Sequence, residues 1–260
     1  MFEKALVVLS GGQDSTTCLF MAKTLAKEVH AISFDYGQVH SIELDAARKV
    51  SELAGVTSHE LVTIPDVLMS TSPLTNQGNG LEKYTSFEEM EQIIGSRVEK
   101  TFVPMRNTFF LTIAANRAVS LGADALVTGI CQEDNANYAD TTEIYRLKLE
   151  QAFQESLRGS AALSILAPLM FCSKADTVRL AYSMPDCWKA LGYSHTSYDG
   201  KFPPTDNNHS NVLRAHGFEE ANLPDPLVVR ANQLGLMELP KTPNYGPSAV
   251  LEFTRNLFAH

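Results

Sequence analysis

The chain has 260 residues and a formal net charge of −9; 44% of its residues are hydrophobic and 20% charged. Those figures fit one large α/β domain, or one domain with an appendage, and argue against broad binding of a phosphate backbone. The expected partner is a small molecule or a protein, with no direct nucleic-acid contact. No apolar run approaches the ~18 residues of a membrane span, and "MFEKALVVLSGG" is too short a run for a signal peptide. Cys18, Cys131, Cys172 and Cys187 form no CxxC pair, so they are read as reduced thiols of a cytoplasmic protein.

In chain order, "ALVVLS" (Ala5–Ser10) reads as a buried parallel strand, followed by a helix over Ser15–Lys27 that Asp14 or Ser15 would cap. "VHAISFDYG" (Val29–Gly37) is a second strand, His40–Gly55 a helix ending on glycine, and Ser58–Ile64 a third strand. Pro65–Gln92 is rich in Ser, Thr, Asn, Gly and Pro and reads as a long loop. Helices are expected over Asn107–Leu121, Thr142–Arg158 and Ser173–Ser183, with strands at Ala123–Gly129 and Leu163–Leu169. Beyond Pro185 the periodicity fades into a proline-punctuated tail. Strands alternating with helices mean crossover connections, a mostly parallel sheet and helices on both faces: a Rossmann-like α/β fold.

The turn "SGGQDS" (Ser10–Ser15) lies where the first strand becomes the first helix. Gly11 and Gly12 let the backbone approach an anion, and the unpaired N–H groups of a helix start favour negative charge. Ser10 and Ser15 add hydroxyl donors. Asp14 would repel phosphate unless it holds Mg²⁺ or caps the helix. No lysine follows the glycines, so this is not the G-x-x-x-x-G-K-[ST] phosphate loop.

"SGGQDS" resembles the SGGxDS loop of the ATP pyrophosphatases, which split ATP between its α and β phosphates. "FDYGQVH" (Phe34–His40), "TFVPMRN" (Thr101–Asn107), "VTGICQED" (Val127–Asp134), "PLMFCSKADTVRLA" (Pro168–Ala181) and "NVLRAHGF" (Asn211–Phe218) resemble, in order, the signature stretches of the QueC family. The resemblance covers about residues 4–218. It implies an adenine-nucleotide α-hydrolase-like fold over residues 1–184. Residues 185–260 would then form a helical or irregular segment in place of the family's zinc-binding region.

It also implies a reaction: adenylation of 7-carboxy-7-deazaguanine by ATP, attack of ammonia to give the amide, and a second adenylation leading to the nitrile. A homodimer is implied as well. Ser10, Gly11, Gly12, Gln13, Asp14, Ser15, Asp35, Tyr36 and Gly129 would then hold ATP, with Asp14 and Ser15 on Mg²⁺–pyrophosphate. Lys174 and Arg106 would be the catalytic cations. Arg106, Asn107, Asp134, Tyr138 and Asp140 would read the deazaguanine, whose N1–H and exocyclic amine are donors. Met105 stands where the family has glycine, and "YADTT" (Tyr138–Thr142) lacks the family's arginine. His40 and His195 read more simply as structural histidines.

The family's zinc site uses four cysteines. In register with "LRAHGF", their places are taken by Ser197, Thr205, Asn208 and Asn211, none of which is a thiolate, so no zinc is expected. Three readings follow: a zinc-free nitrile-forming enzyme; a relative that joins the activated deazaguanine to another amine, such as a protein N-terminus, in antiviral defence; and a non-catalytic nucleotide-binding module. An intact SGGxDS loop and Lys174 speak against the third.

Overall fold

A computed structural model describes residues 1–38, 42–64, 68, 70–75, 80–133, 136–197 and 200–251. Five parallel strands, β1 (Phe2–Val8), β2 (Ala26–Asp35), β3 (Ser58–Thr63), β4 (Ala125–Val127) and β5 (Ser164–Leu166), lie in the order β3-β2-β1-β4-β5. The chain steps outward from β1 to β3, then returns to the other side of β1. The strand order therefore reverses between β1 and β4, and ligands in such sheets sit outside the carboxyl ends at that reversal.

Both faces of the sheet are covered because side chains alternate along β1. Ala5 and Val7 pack with Cys18, Leu19 and Ala22 of α1 (Gln13–Leu25) and with Ala47 and Val50 of α2 (Ile42–Ala54). Leu6, between them in sequence, joins Ile32 and Leu126 against Leu111, Ala114 and Ala118 of α4 (Arg106–Leu121). The alanines on α4 let the helix lie close to the sheet. On that same side, Tyr145, Leu149 and Phe153 of α5 (Glu143–Ser156) pack against the cluster.

The expected strands and helices are present, with several corrections. The stretch expected as one long loop holds α3 (Phe87–Ile94) at its end, capped by Ser86, whose hydroxyl accepts from Glu89 N, and stopped by Gly95. Helix α1 starts at Gln13, so Gly12 is its N-cap, and Asp14 and Ser15 lie inside it rather than capping it. The region beyond Pro185 is helical: after α6 (Lys174–Tyr182) come α7 (Pro185–Leu191), α8 (His209–Glu220) and α9 (Pro226–Gln233). Their local patterns are short, and α8 carries an internal glycine, Gly217, and an internal asparagine, Asn211, that obscure its period.

These C-terminal helices complete the core. Trp188, Leu191, Phe218 and Val229 share one buried cluster with Val7, Leu9 and Cys18. Beside Phe218 and Leu191 of that cluster lies a buried ion pair. Arg214 of α8 donates Nε and Nη2 to the two carboxylate oxygens of Asp225 at 2.6 and 2.8 Å. Its Nη1 reaches Ser194 Oγ at 2.9 Å and Thr196 Oγ1 at 2.8 Å. Asp225 also caps α9 through Leu227 N at 2.9 Å.

Candidate active site

The turn after β1 is built by close packing as much as by ligand needs. Gly11 has φ +86°, and a β-carbon on it would lie 2.3 Å from Glu43 O and 2.7 Å from Ala47 N. Its bare backbone is thus demanded by the approach of α2, while Ser10, Gly12, Gln13, Asp14 and Ser15 form the turn's open wall. Gly129, after β4, plays the matching part on the other side: a β-carbon there would sit 3.0 Å from Ser15 N. The Ser10 and Ser15 hydroxyls are 3.0 Å apart, and Ser15 Oγ donates to Gly12 O at 3.2 Å. No side chain caps α1, which leaves the N-terminal end of the helix to the cleft. Gln13 is 2% exposed, and neither its amide nitrogen nor its amide oxygen has a hydrogen-bond partner.

Asp14 and Lys174, 160 residues apart, meet behind this wall, where Asp14 lines the cleft and Lys174 Nζ donates to Asp14 Oδ2 at 2.9 Å. Lys174 opens α6, where a cation opposes the helix dipole. The helix start is instead satisfied by a capping box between Ser173 and Asp176, and the ammonium of Lys174, its side chain only 9% exposed, is balanced by Asp14.

A cleft of about 280 Å³, near the lower end of small-molecule sites, opens from the turn along the carboxyl edge of the sheet. Phe34 and Phe110 stack at 4.4 Å on one side, with Tyr36 tilted on Phe110 at 5.2 Å, a surface suited to a planar base. Asp35 does not line the cleft; its Oδ1 accepts from Gly37 N at 3.3 Å. Arg106 and Asn107 enter from α4. Asn107 does not cap that helix, because Met105 is the N-cap, at φ +64°. The left-handed backbone a glycine would favour is present all the same, on a methionine that is 62% exposed. Asn107 Nδ2 instead donates to Asp140 O at 3.3 Å.

Three acidic groups surround the Arg106 guanidinium. Burial pushes Glu43, in the first turn of α2, up to about 7, and Arg106 only partly opposes it. Tyr36 is raised by burial and lowered by Arg106. Asp140 is raised by burial, opposed first by Arg106 and then by hydrogen bonding from Asn107, and it stands behind the residues that line the cleft. Tyr138 lines the cleft with its hydroxyl already engaged, 2.6 Å from Thr101 Oγ1 and donating to Glu99 Oε2 at 3.1 Å, so its ring is the part presented. Asp134 and His40 lie outside the described residues.

Two wall residues escape a reading by motif. Glu43 looks like an ordinary solvated helix residue in sequence; only the contact of α2 with Gly11 brings it inward. His195 is buried in the wall, its backbone N–H donating to Gly11 O at 2.8 Å, between the two hydroxyl residues that Arg214 holds. Further along the same segment, Asn208 donates to Ser197 Oγ at 3.1 Å and caps α8 by accepting from Asn211 N at 3.1 Å. Asn211 Nδ2 donates to Asp206 O at 2.6 Å.

A parallel sheet that reverses at a glycine turn, with a hydroxyl-lined helix start and a lysine from a later crossover, defines an α/β protein of the ATP-pyrophosphatase fold. The chain belongs to the QueC family, and with it to the ligase-type enzymes. Residues 4–222 match the family model described as queuosine biosynthesis protein QueC. Proteins named 7-cyano-7-deazaguanine synthase are similar to it. The one from Gloeobacter violaceus is 42% identical over 86% of this chain and 95% of its own length. Those from Chromobacterium violaceum and Oceanobacillus iheyensis are 44% identical (88% of this chain, 94% of the relative) and 35% identical (86% and 97%).

Proposed function

We propose that the chain uses ATP to activate 7-carboxy-7-deazaguanine and converts it with ammonia to 7-cyano-7-deazaguanine. The observation that carries this reading is the turn Ser10–Ser15 at the strand reversal, with Gln13 buried and unpartnered beside the Asp14–Lys174 pair. A phosphate anion suits that set of donors: hydroxyls, helix-start amides and a primary amide line the turn, with the Lys174 ammonium held just behind them on Asp14.

The carboxylate oxygen attacks the α-phosphorus and pyrophosphate leaves. Ammonia then adds to the acyl carbon, AMP leaves, and the amide forms. A second ATP adenylates the amide oxygen, and loss of AMP with the nitrogen's remaining protons leaves the nitrile. Lys174 would neutralise charge that builds on the departing pyrophosphate, and Ser10, Gly11, Gly12, Gln13 and Ser15 would hold it. Asp14 would hold Mg²⁺, whose chemistry there is to screen the phosphates. Asp35, Tyr36 and Gly129 are assigned to the nucleotide side, with Phe34 and Phe110 as a stacking face. Arg106, Asn107, Tyr138, Asp134 and Asp140 are assigned to the deazaguanine. Of these, Asp140 is a carboxylate buried beside Arg106 and Asn107, the chemistry that suits a reader of N–H donors, although it stands behind the cleft's lining residues.

The test is incubation with ATP, Mg²⁺, 7-carboxy-7-deazaguanine and ammonium, following pyrophosphate and product mass. The expected result is two pyrophosphates per nitrile. Pyrophosphate without nitrile would move the acceptor to another amine, and no pyrophosphate with any 7-deazaguanine would overturn the reading. We assign no zinc to Ser197, Thr205, Asn208 and Asn211. In support, Ser197, Asn208 and Asn211 are joined to one another or to nearby backbone by hydrogen bonds, which organise the segment without a metal. Stoichiometric zinc in the purified protein would overturn that assignment. A homodimer is expected by light scattering.

A further inference from the structure

Gly217 lies in the middle of α8, where glycine weakens a helix and alanine would strengthen it. Its φ is not left-handed, so the turn geometry does not require it. What requires it is Lys174. A β-carbon on Gly217 would lie 2.5 Å from Lys174 Cγ, 2.9 Å from Lys174 Cβ and 3.2 Å from Lys174 C. Cβ and the backbone carbon are fixed by the main chain, and Cγ moves only by a rotation about Cα–Cβ that would redirect the whole side chain away from Asp14. The bare backbone of α8 is therefore the floor on which the first residue of α6 rests. From that floor the Lys174 side chain reaches, at 9% exposure, to Asp14 on the glycine turn.

We infer that Gly217 is a positioning residue for the reaction: its missing side chain lets α8 seat Lys174 so that the ammonium reaches Asp14 and the phosphate wall. A methyl group here pushes the start of α6 outward by the few tenths of an ångström or more needed to relieve the contact. The displacement appears at Nζ, at the far end of the chain that is lifted. Misplacement on that scale lowers the rate of a step that depends on aligned charge, and has less effect on binding shared by ground and transition states. The inference rests on the reading of Lys174 as the cation of adenylation.

The experiment measures pyrophosphate release from ATP and 7-carboxy-7-deazaguanine in four proteins: the parent chain, Gly217→Ala, Lys174→Ala and the double variant. Gly217→Ala is expected to lower kcat by about 10-fold or more, with KM for ATP within about 3-fold. In the Lys174→Ala background the same substitution is expected to change kcat by less than about 2-fold, because the group it displaces is gone. A parental kcat in Gly217→Ala, or a full 10-fold loss added to that of Lys174→Ala, overturns the inference. Parental release in Lys174→Ala overturns the underlying role of Lys174 first, and this inference with it. Should Gly217→Ala not fold, Lys174→Gly/Gly217→Ala removes the two carbons the methyl meets most closely. Recovered folding retains the inference, and continued failure overturns it.

Discussion

Met105 delivers Arg106 to the cleft through a left-handed turn that L side chains avoid, and its own side chain is 62% exposed and holds little in return. A non-glycine residue in that region costs roughly 1–2 kcal/mol, partly offset in a glycine by its greater freedom when unfolded. Met105→Gly is therefore expected to stabilise the chain by about 0.5–1 kcal/mol, read as a higher urea midpoint at unchanged slope. A lower midpoint would show that the methionine packs more than its exposure indicates. Glu43 is the second residue with a measurable signature. Its carboxyl loses its proton near pH 7 in the folded chain but near 4.5 as an unperturbed side chain, so between those values the folded state holds the extra proton. Stability contributed by Glu43 is complete below about 4.5 and is lost as pH rises through 7. Relative to Glu43→Gln, the parent chain should lose about 2 kcal/mol between pH 5 and pH 8, by denaturation at each pH. Equal pH dependence in the two proteins would count against a buried Glu43. Neither residue stands out by type: a methionine and a helix-start glutamate are ordinary until the backbone angle of one and the burial of the other are known.

At the scale of elements, α8 governs the glycine turn from two sides. Through Arg214 it pins Ser194 and Thr196, and between them His195 N bonds Gly11 O. Through Gly217 it seats Lys174 against Asp14. Removing Arg214 would strand Asp225, 3% exposed, without its counter-charge. Arg214→Ala is expected to cost about 3–5 kcal/mol, measured by chemical denaturation. Arg214→Met, tested beside Asp225→Leu, separates the stranded charge from lost packing: the double replacement should recover most of the loss. The same helix shows the limit of pattern reading. Its amphipathic period is blurred by Asn211, His216 and Gly217, yet its cap is secure because Asn208 accepts from Asn211 N. By contrast β1 is legible from its apolar run into a glycine turn, and α1 and β2 are legible as elements, although β2 begins at Ala26, inside the stretch expected to be the end of the helix.

For the whole molecule, the core is not contained in the residues that carry the nucleotide signature. Trp188, Leu191, Phe218 and Val229 pack against Val7, Leu9 and Leu19, and each is at most 5% exposed. Burying four such side chains contributes roughly 6–12 kcal/mol at 1.5–3 kcal/mol each, as much as the net stability of a typical domain. A fragment ending at residue 184 is therefore expected to lack a cooperative unfolding transition by circular dichroism. A fragment that melts cooperatively near the full chain's midpoint would refute this. Asp14→Ala removes the counter-charge of the nearly buried Lys174 ammonium, so it should lower the midpoint while leaving a single cooperative transition. It should also abolish pyrophosphate release, so the pair distinguishes loss of fold from loss of chemistry.

The sequence by itself determined the alternation of strands and helices, the anion-ready turn and the family signatures, because each depends on neighbours a few residues apart: a period, a cap, a missing β-carbon. Only the tertiary structure decided which of those residues work together. Gly11 is a glycine because α2 presses on it, and Lys174 faces Asp14 because α8 offers bare backbone beneath it. Glu43 is raised to about 7 because a crossover helix carries it, partly buried, into the wall of the cleft. Contacts between residues far apart in the chain follow from how elements pack, and packing at close-fitting density is a property of all the elements together.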